Sequence, residues 1–139
     1  MVIRSLLALA AAGALLAAAG CGSTGPSKPF TAAGTAPCLT KAGFKDVTTN
    51  KVKVGFIAGF AEYGGVKADA PGGNVVTIAF TADATSAVDS AKSAFRRFAP
   101  PSLRPRMDDI MESQGNAVLV WTVSPTPKQL AAATGCLHA

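Results

Sequence analysis

Two stretches of this chain align with each other without a gap, and they constrain its fold more than any other feature. Gly73-Asn74-Val75-Val76-Thr77-Ile78-Ala79-Phe80 matches Gly115-Asn116-Ala117-Val118-Leu119-Val120-Trp121-Thr122 in pattern. In each, a Gly-Asn turn opens a run of β-branched and aromatic residues, the composition of a strand. The first run alternates Val76, Ile78 and Phe80 with Val75, Thr77 and Ala79, which suits a sheet with one buried face. A helix signal follows each. Asp83 can cap a helix whose apolar positions Ala84, Ala87, Val88, Ala91, Phe95 and Phe98 share a stripe, and Pro100-Pro101 ends it. After the second run, Ser124-Pro125-Thr126-Pro127 offers a cap and an N-terminal proline for a closing helix over 128–137.

A partner strand precedes each Gly-Asn turn in this reading, over 52–61 and over 107–114. Met107, Ile110, Met111 and Gln114 fit a short helix equally well, so 107–114 is open between strand and helix. A short opening helix over 37–43 feeds a strand over 44–49. The expected fold is α+β: an antiparallel sheet of four or five strands with helices packed on one face. The domain is either a duplicated β-β-α unit or carries a chance likeness, since short apolar strands after Gly-Asn are common.

The N-terminus carries a different kind of signal. Arg4 precedes an apolar stretch over 6–19, and Ala18-Ala19-Gly20-Cys21 is a small-residue cleavage site. The stretch is roughly 14 residues, short of the ~20 that a membrane-spanning helix needs. This start resembles the lipobox of bacterial lipoproteins, although Ala18 stands where that family usually has Leu. The resemblance implies cleavage before Cys21, a diacylglyceryl group on its sulfur with palmitate among the lipid's acyl chains, and a lipid anchor on the extracytoplasmic face of the cell membrane. Ala17 and Ala19 also make an ordinary A-x-A secretory site, which would release a soluble protein.

Three cysteines in an exported chain leave one unpaired unless one has another task. With Cys21 lipidated, Cys38 and Cys136 remain, and an oxidising compartment lets them pair as a structural staple. Neither lies in a C-x-x-C, so redox chemistry is the weaker reading. Residues 22–37 are rich in Gly, Ser, Thr, Ala and Pro and read as a flexible tether. The division is then a signal peptide over 1–20, lipidated Cys and tether over 21–37, and one α+β domain over 38–139. Within it, Cys38-Leu39-Thr40-Lys41-Ala42-Gly43-Phe44, the later Gly-Asn strand and Gly135-Cys136-Leu137 look like a pattern of small exported bacterial proteins of unknown function. That similarity implies no chemistry.

Catalysis finds little support in the residue inventory. The sole His is His138, next to the C-terminal residue of the sequence, where chains fray, so no Ser-His-Asp or Cys-His arrangement has a placed base. Asp108, Asp109 and Glu112 gather three carboxylates, and Asp108 and Glu112 share a face if that segment is helical. Without further ligands they read as a solvated acidic face. Gly64-Gly65 and Gly72-Gly73 are turn residues rather than a phosphate loop. No metal and no cofactor is expected.

The formal charge is +5. Lys92, Arg96, Arg97, Arg104 and Arg106 gather around the end of the long helix. They either complement its C-terminal dipole or present a cationic patch to anionic headgroups, envelope polymers or a partner protein. Nucleic acid is not an expected partner, because aromatics are not interleaved with the basic residues. Tyr63, in Ala61-Glu62-Tyr63-Gly64-Gly65, is either a surface contact or packs back onto its own domain. The sequence therefore points to a non-enzymatic, membrane-anchored binding or accessory module of the cell envelope. A small secreted enzyme or enzyme inhibitor is the alternative.

Overall fold

The computed structural model describes residues 28–59 and 61–139. Cys21, the signal peptide and the proposed cleavage site lie outside the described residues. Five strands, β1 (Lys45–Thr48), β2 (Gly65–Asp69), β3 (Val75–Phe80), β4 (Met111–Gln114) and β5 (Ala117–Trp121), form one antiparallel sheet in the order β1-β2-β3-β5-β4. Four helices accompany it: α1 (Ala32–Lys41), α2 (Ala84–Phe98), α3 (Met107–Ile110) and α4 (Pro127–Thr134). The α+β class and the antiparallel sheet are as the sequence led us to expect. Residues 107–114 turn out to be both things at once, a single helical turn that passes directly into β4.

Local chemistry fixes the element ends. Thr31 accepts the Gly34 N–H and Asp83 the Ser86 N–H. Thr126 and Gln129 form a reciprocal capping box, with Pro127 in the first turn. Pro100-Pro101 follows α2 immediately, with Ala99 as its C-cap.

The opening helix starts earlier than expected. Ala32, Thr35 and Leu39 recur at helical spacing and are buried, and this stripe against the sheet outweighs Pro37 inside the helix. Phe30 packs on the core, and its N–H and C=O both bond to the Asn116 side chain. Residues 28–37 therefore belong to the domain, and a boundary at residue 38 falls inside α1. Small residues misled the sequence reading. Gly34 is small because a Cβ there would come within 2.8 Å of the His138 carbonyl oxygen. Nor does the end fray at His138, whose carbonyl accepts from the Thr31 N–H and whose N–H donates to the Thr35 hydroxyl.

Paired residues of an antiparallel sheet share a face, so the register assigns the helices. Val76, Ile78 and Phe80 of β3 pair with Trp121, Leu119 and Ala117 of β5 on one face. Leu119 lines a hollow with Leu130, Ala131 and Thr134 of α4, and the Cys38–Cys136 disulfide ties α1 to the chain just after α4. On the other face Ala79 pairs with Val118, and there Ala79 lies beside Ala87, Ala91 and Ala94 of α2. Helices thus cover both faces: α1 and α4 share one, as expected, and α2 takes the other. Since β3 and β4 are parallel with β5 between them, the connection must cross β5. The face already occupied by α1 and α4 leaves the opposite one for α2.

That arrangement also decides the nature of the repeat. The order β-β-α occurs twice, but the ungapped alignment matches Ile78 with Val120, whereas the sheet pairs Ile78 with Leu119. Matched side chains therefore point to opposite faces, and no rotation superimposes the two units.

Both repeat asparagines are buried and bracket the β3–β5 pair. Asn74 donates to the Val123 carbonyl and accepts from the Thr122 hydroxyl and the Val123 N–H. Asn116 donates to the Thr81 carbonyl as well as binding Phe30. With helices on either face, every residue of β5 is buried, which explains its nearly unbroken apolar run.

Candidate functional site

Among the described residues of 52–61 the expected strand does not form, and the turns over 50–59 build the candidate site. The Asn50 side chain accepts the Val52 N–H at 3.0 Å and its carbonyl accepts the N–H groups of Lys53 and Val54. An Asn that satisfies the following amides in this way competes with extended pairing. Gly55, at φ 84°, then turns the chain in a conformation that favours glycine. Residues 50–59 become a series of turns lying on the α2 face. Val54 and Ala58 are buried there against Ala79. Gly65 permits this approach, because a Cβ on it would collide with Ala58.

Between this segment and α2 runs a groove of about 540 Å³. Ala79 is its floor, Phe56 and Ile57 form one wall, and the small residues Ala87, Ser90, Ala91 and Ala94 of α2 form the other. The Phe56 and Phe98 rings meet across one end at 5.8 Å and 57°. Phe98 was expected on the core stripe of α2 but is 60% exposed, because the buried stripe runs through Ala87, Ala91, Phe95 and Ala99 and leaves Phe98 to its side, where it pairs with Phe56. A second hollow of about 280 Å³, lined by Lys53, Lys67, Thr77, Leu103 and Val120 among others, opens on the other side of Phe56 and Ile57.

Asp83, Ser86 and Glu62 stand at the groove's far end. Each is already engaged in a hydrogen bond. Asp83 accepts the Ser86 N–H at 2.8 Å and the Ser86 hydroxyl at 2.7 Å, and these bonds hold its carboxyl below the usual carboxylate pKa. Glu62 accepts the Ala82 N–H at 2.7 Å. The Ser86 hydroxyl donates to this ionised cap, whose lowered pKa makes it a weaker base than an ordinary carboxylate. The imidazole of His138 is exposed and does not line the groove.

The side chains singled out in the sequence do not converge. Tyr63 is 41% exposed, and its backbone bridges Phe80 and the first turn of α1. Arg96 and Arg97 are exposed on the last turn of α2, the opposite end of that helix from the Phe80 edge. Arg97 lies over the Phe98 ring at 5.7 Å. Arg104 donates its Nε–H to the Ala99 carbonyl, so the side chain that satisfies the helix end comes from the following turn. Arg106 is half-buried in the 3₁₀ turn at Arg104–Arg106. Asp108 and Glu112 do not stack on a helix, because the chain becomes β4 at Met111. Instead they line a small hollow with Lys92.

Among the described residues, no group of three or more His, Cys, Asp or Glu could hold a metal ion, and no helix is long and apolar enough to cross a membrane. Phe56 is the residue the sequence reading missed. Its signal was the spacing of Val52 and Phe56 four apart, which a strand assignment concealed. The class these features define is a small disulfide-stapled α+β domain with an apolar groove on one sheet face. No protein-family model, curated protein or solved structure matches the chain.

Proposed function

We propose that this chain is a lipid-anchored, extracytoplasmic and non-enzymatic binding module of the cell envelope, whose groove between residues 50–59 and α2 takes an elongated apolar ligand. The observation carrying this reading is the groove itself. Its volume lies in the range of small-molecule sites, and its walls are alanines and aromatic rings. The carboxylates at its end already accept backbone amides, which favours binding over turnover. The anchor rests on the lipobox-like start of the sequence, with Cys21 as the lipidated residue and the stapled domain held outside the membrane.

Two measurements test the two halves. Intact mass of the full chain recovered from a bacterial envelope should give a species beginning at Cys21, heavier by a lipid and lighter by the two hydrogens of one disulfide. An unlipidated species beginning at Gly20 would remove the anchor. For the groove, the fluorescence anisotropy of a labelled C16 fatty acid should saturate with the wild-type chain, and Ala94→Trp should weaken that binding at least tenfold by filling the cavity. Equal binding by both chains, or none by the wild type, would overturn the ligand reading.

A further inference from the structure

At one end of the groove, the 50–59 segment and the last residue of α2 expose apolar side chains to solvent. Val52 is 89% exposed, Phe98 60% and Phe56 41%. They are contiguous: Val52 and Phe56 line one surface hollow, and Phe56 meets the Phe98 ring. The same segment buries Val54 and Ala58, so its outward residues are not a failure to find a core. Their neighbours in sequence are cations. Lys51 and Lys53 flank Val52, Arg97 lies over the Phe98 ring and Arg96 precedes it, and all four are exposed. The carboxylate in this hollow, Glu62, accepts the Ala82 N–H and keeps its charge, so the four cations outnumber it.

Exposed apolar tips ringed by basic side chains match the interface of an anionic bilayer. There the tips enter the headgroup boundary and the cations meet lipid phosphates. A purely apolar protein partner would gain nothing from the lysines, and a second copy of this patch would set cation against cation. We propose that Val52, Phe56 and Phe98, with Lys51, Lys53 and Arg97, form a docking surface for an anionic lipid membrane. This surface lies at the groove's Phe56–Phe98 end and turns that end toward the bilayer. The inference stands on the exposed patch and does not require the fatty-acid reading of the groove.

The test is amide hydrogen exchange of the full-length chain with neutral phosphatidylcholine vesicles and with vesicles containing one quarter phosphatidylglycerol. Anionic vesicles should slow exchange at residues 51–59 and 96–99 at least fivefold relative to neutral ones, whether or not a lipid on Cys21 also holds the chain at the surface. High salt should reverse the slowing, and Lys51→Glu with Lys53→Glu should abolish it. Val52→Asp should abolish it too, with the thermal melt unchanged, because Val52 is almost fully solvent-exposed. Equal exchange with both lipids, or slowing that survives these substitutions, would overturn the proposal. Slowing that appears without vesicles and grows with protein concentration would overturn it in favour of a second copy of the chain. Fatty-acid binding is read separately, so failure of either proposal leaves the other distinguishable.

Discussion

Asn74 and Asn116 show how much of this sheet rests on single side chains. Each ends the β3–β5 pairing by supplying hydrogen bonds that the backbone ladder no longer can, and each does so while buried. Asn116 is the more consequential, because it satisfies both polar groups of Phe30 and so attaches the chain before α1 to the sheet edge. Truncation would leave an N–H and two carbonyls unpartnered in a partly buried site. Asn116→Ala should therefore destabilise the protein by roughly 2–3 kcal/mol, read as a fall in urea midpoint with an unchanged slope. In contrast, Trp121 buries its indole N–H with no hydrogen-bond partner, the one such side-chain atom among the described residues. Its ring is retained for volume.

Among the elements, the 50–59 segment decides what the α2 face can do. It covers only part of the sheet, and the uncovered remainder is the groove. Its seat depends on Gly65, whose missing side chain admits Ala58. Gly65→Val should lift the segment, with amide exchange at 51–59 accelerating while β3 and β5 keep their protection, at an overpacking cost of about 1–3 kcal/mol. Unchanged exchange at 51–59 would show that the segment is held by other contacts. α2 contributes the facing wall, and alanine and serine at its groove-lining positions leave the space between helix and segment unfilled. A row of leucines there would have filled the cavity.

For the molecule as a whole, the disulfide is the largest single constraint. Cys38 and Cys136 stand 98 residues apart in sequence with Cα atoms 5.3 Å apart, so the bond closes nearly the whole domain into one loop. In the chain-entropy account a loop of this length contributes about 4–5 kcal/mol, a large share of what holds a domain this small. Cys38→Ser should lower the melting temperature by tens of degrees, and reductant should do the same to the wild type but nothing further to the variant. If reduction left the melt in place, the packing of α1 on the sheet and the clasp of His138 between Thr31 and Thr35 would be shown to suffice.

Local rules were legible in the chain because they depend on neighbours in sequence. The caps at Asp83 and Thr126, the stop at Pro100-Pro101, the strands after each Gly-Asn and the antiparallel sheet could all be read there, as could the pairing of Cys38 with Cys136. What depends on pleat parity or on distant packing could not be read. Matching Ile78 to Val120 by eye hides a shift of one residue, which reverses the face a strand residue presents, and only the β3–β5 register reveals it. Residues 52–61 have strand composition, yet the bonds of Asn50 and the space at Gly65 make residues 50–59 a covering segment. Phe98 continues the α2 stripe in sequence, but in space the buried stripe passes from Phe95 to Ala99 and leaves Phe98 beside it. The groove follows from these three outcomes, which is why its residues could be found only after the tertiary structure had placed α2 opposite α1 and α4.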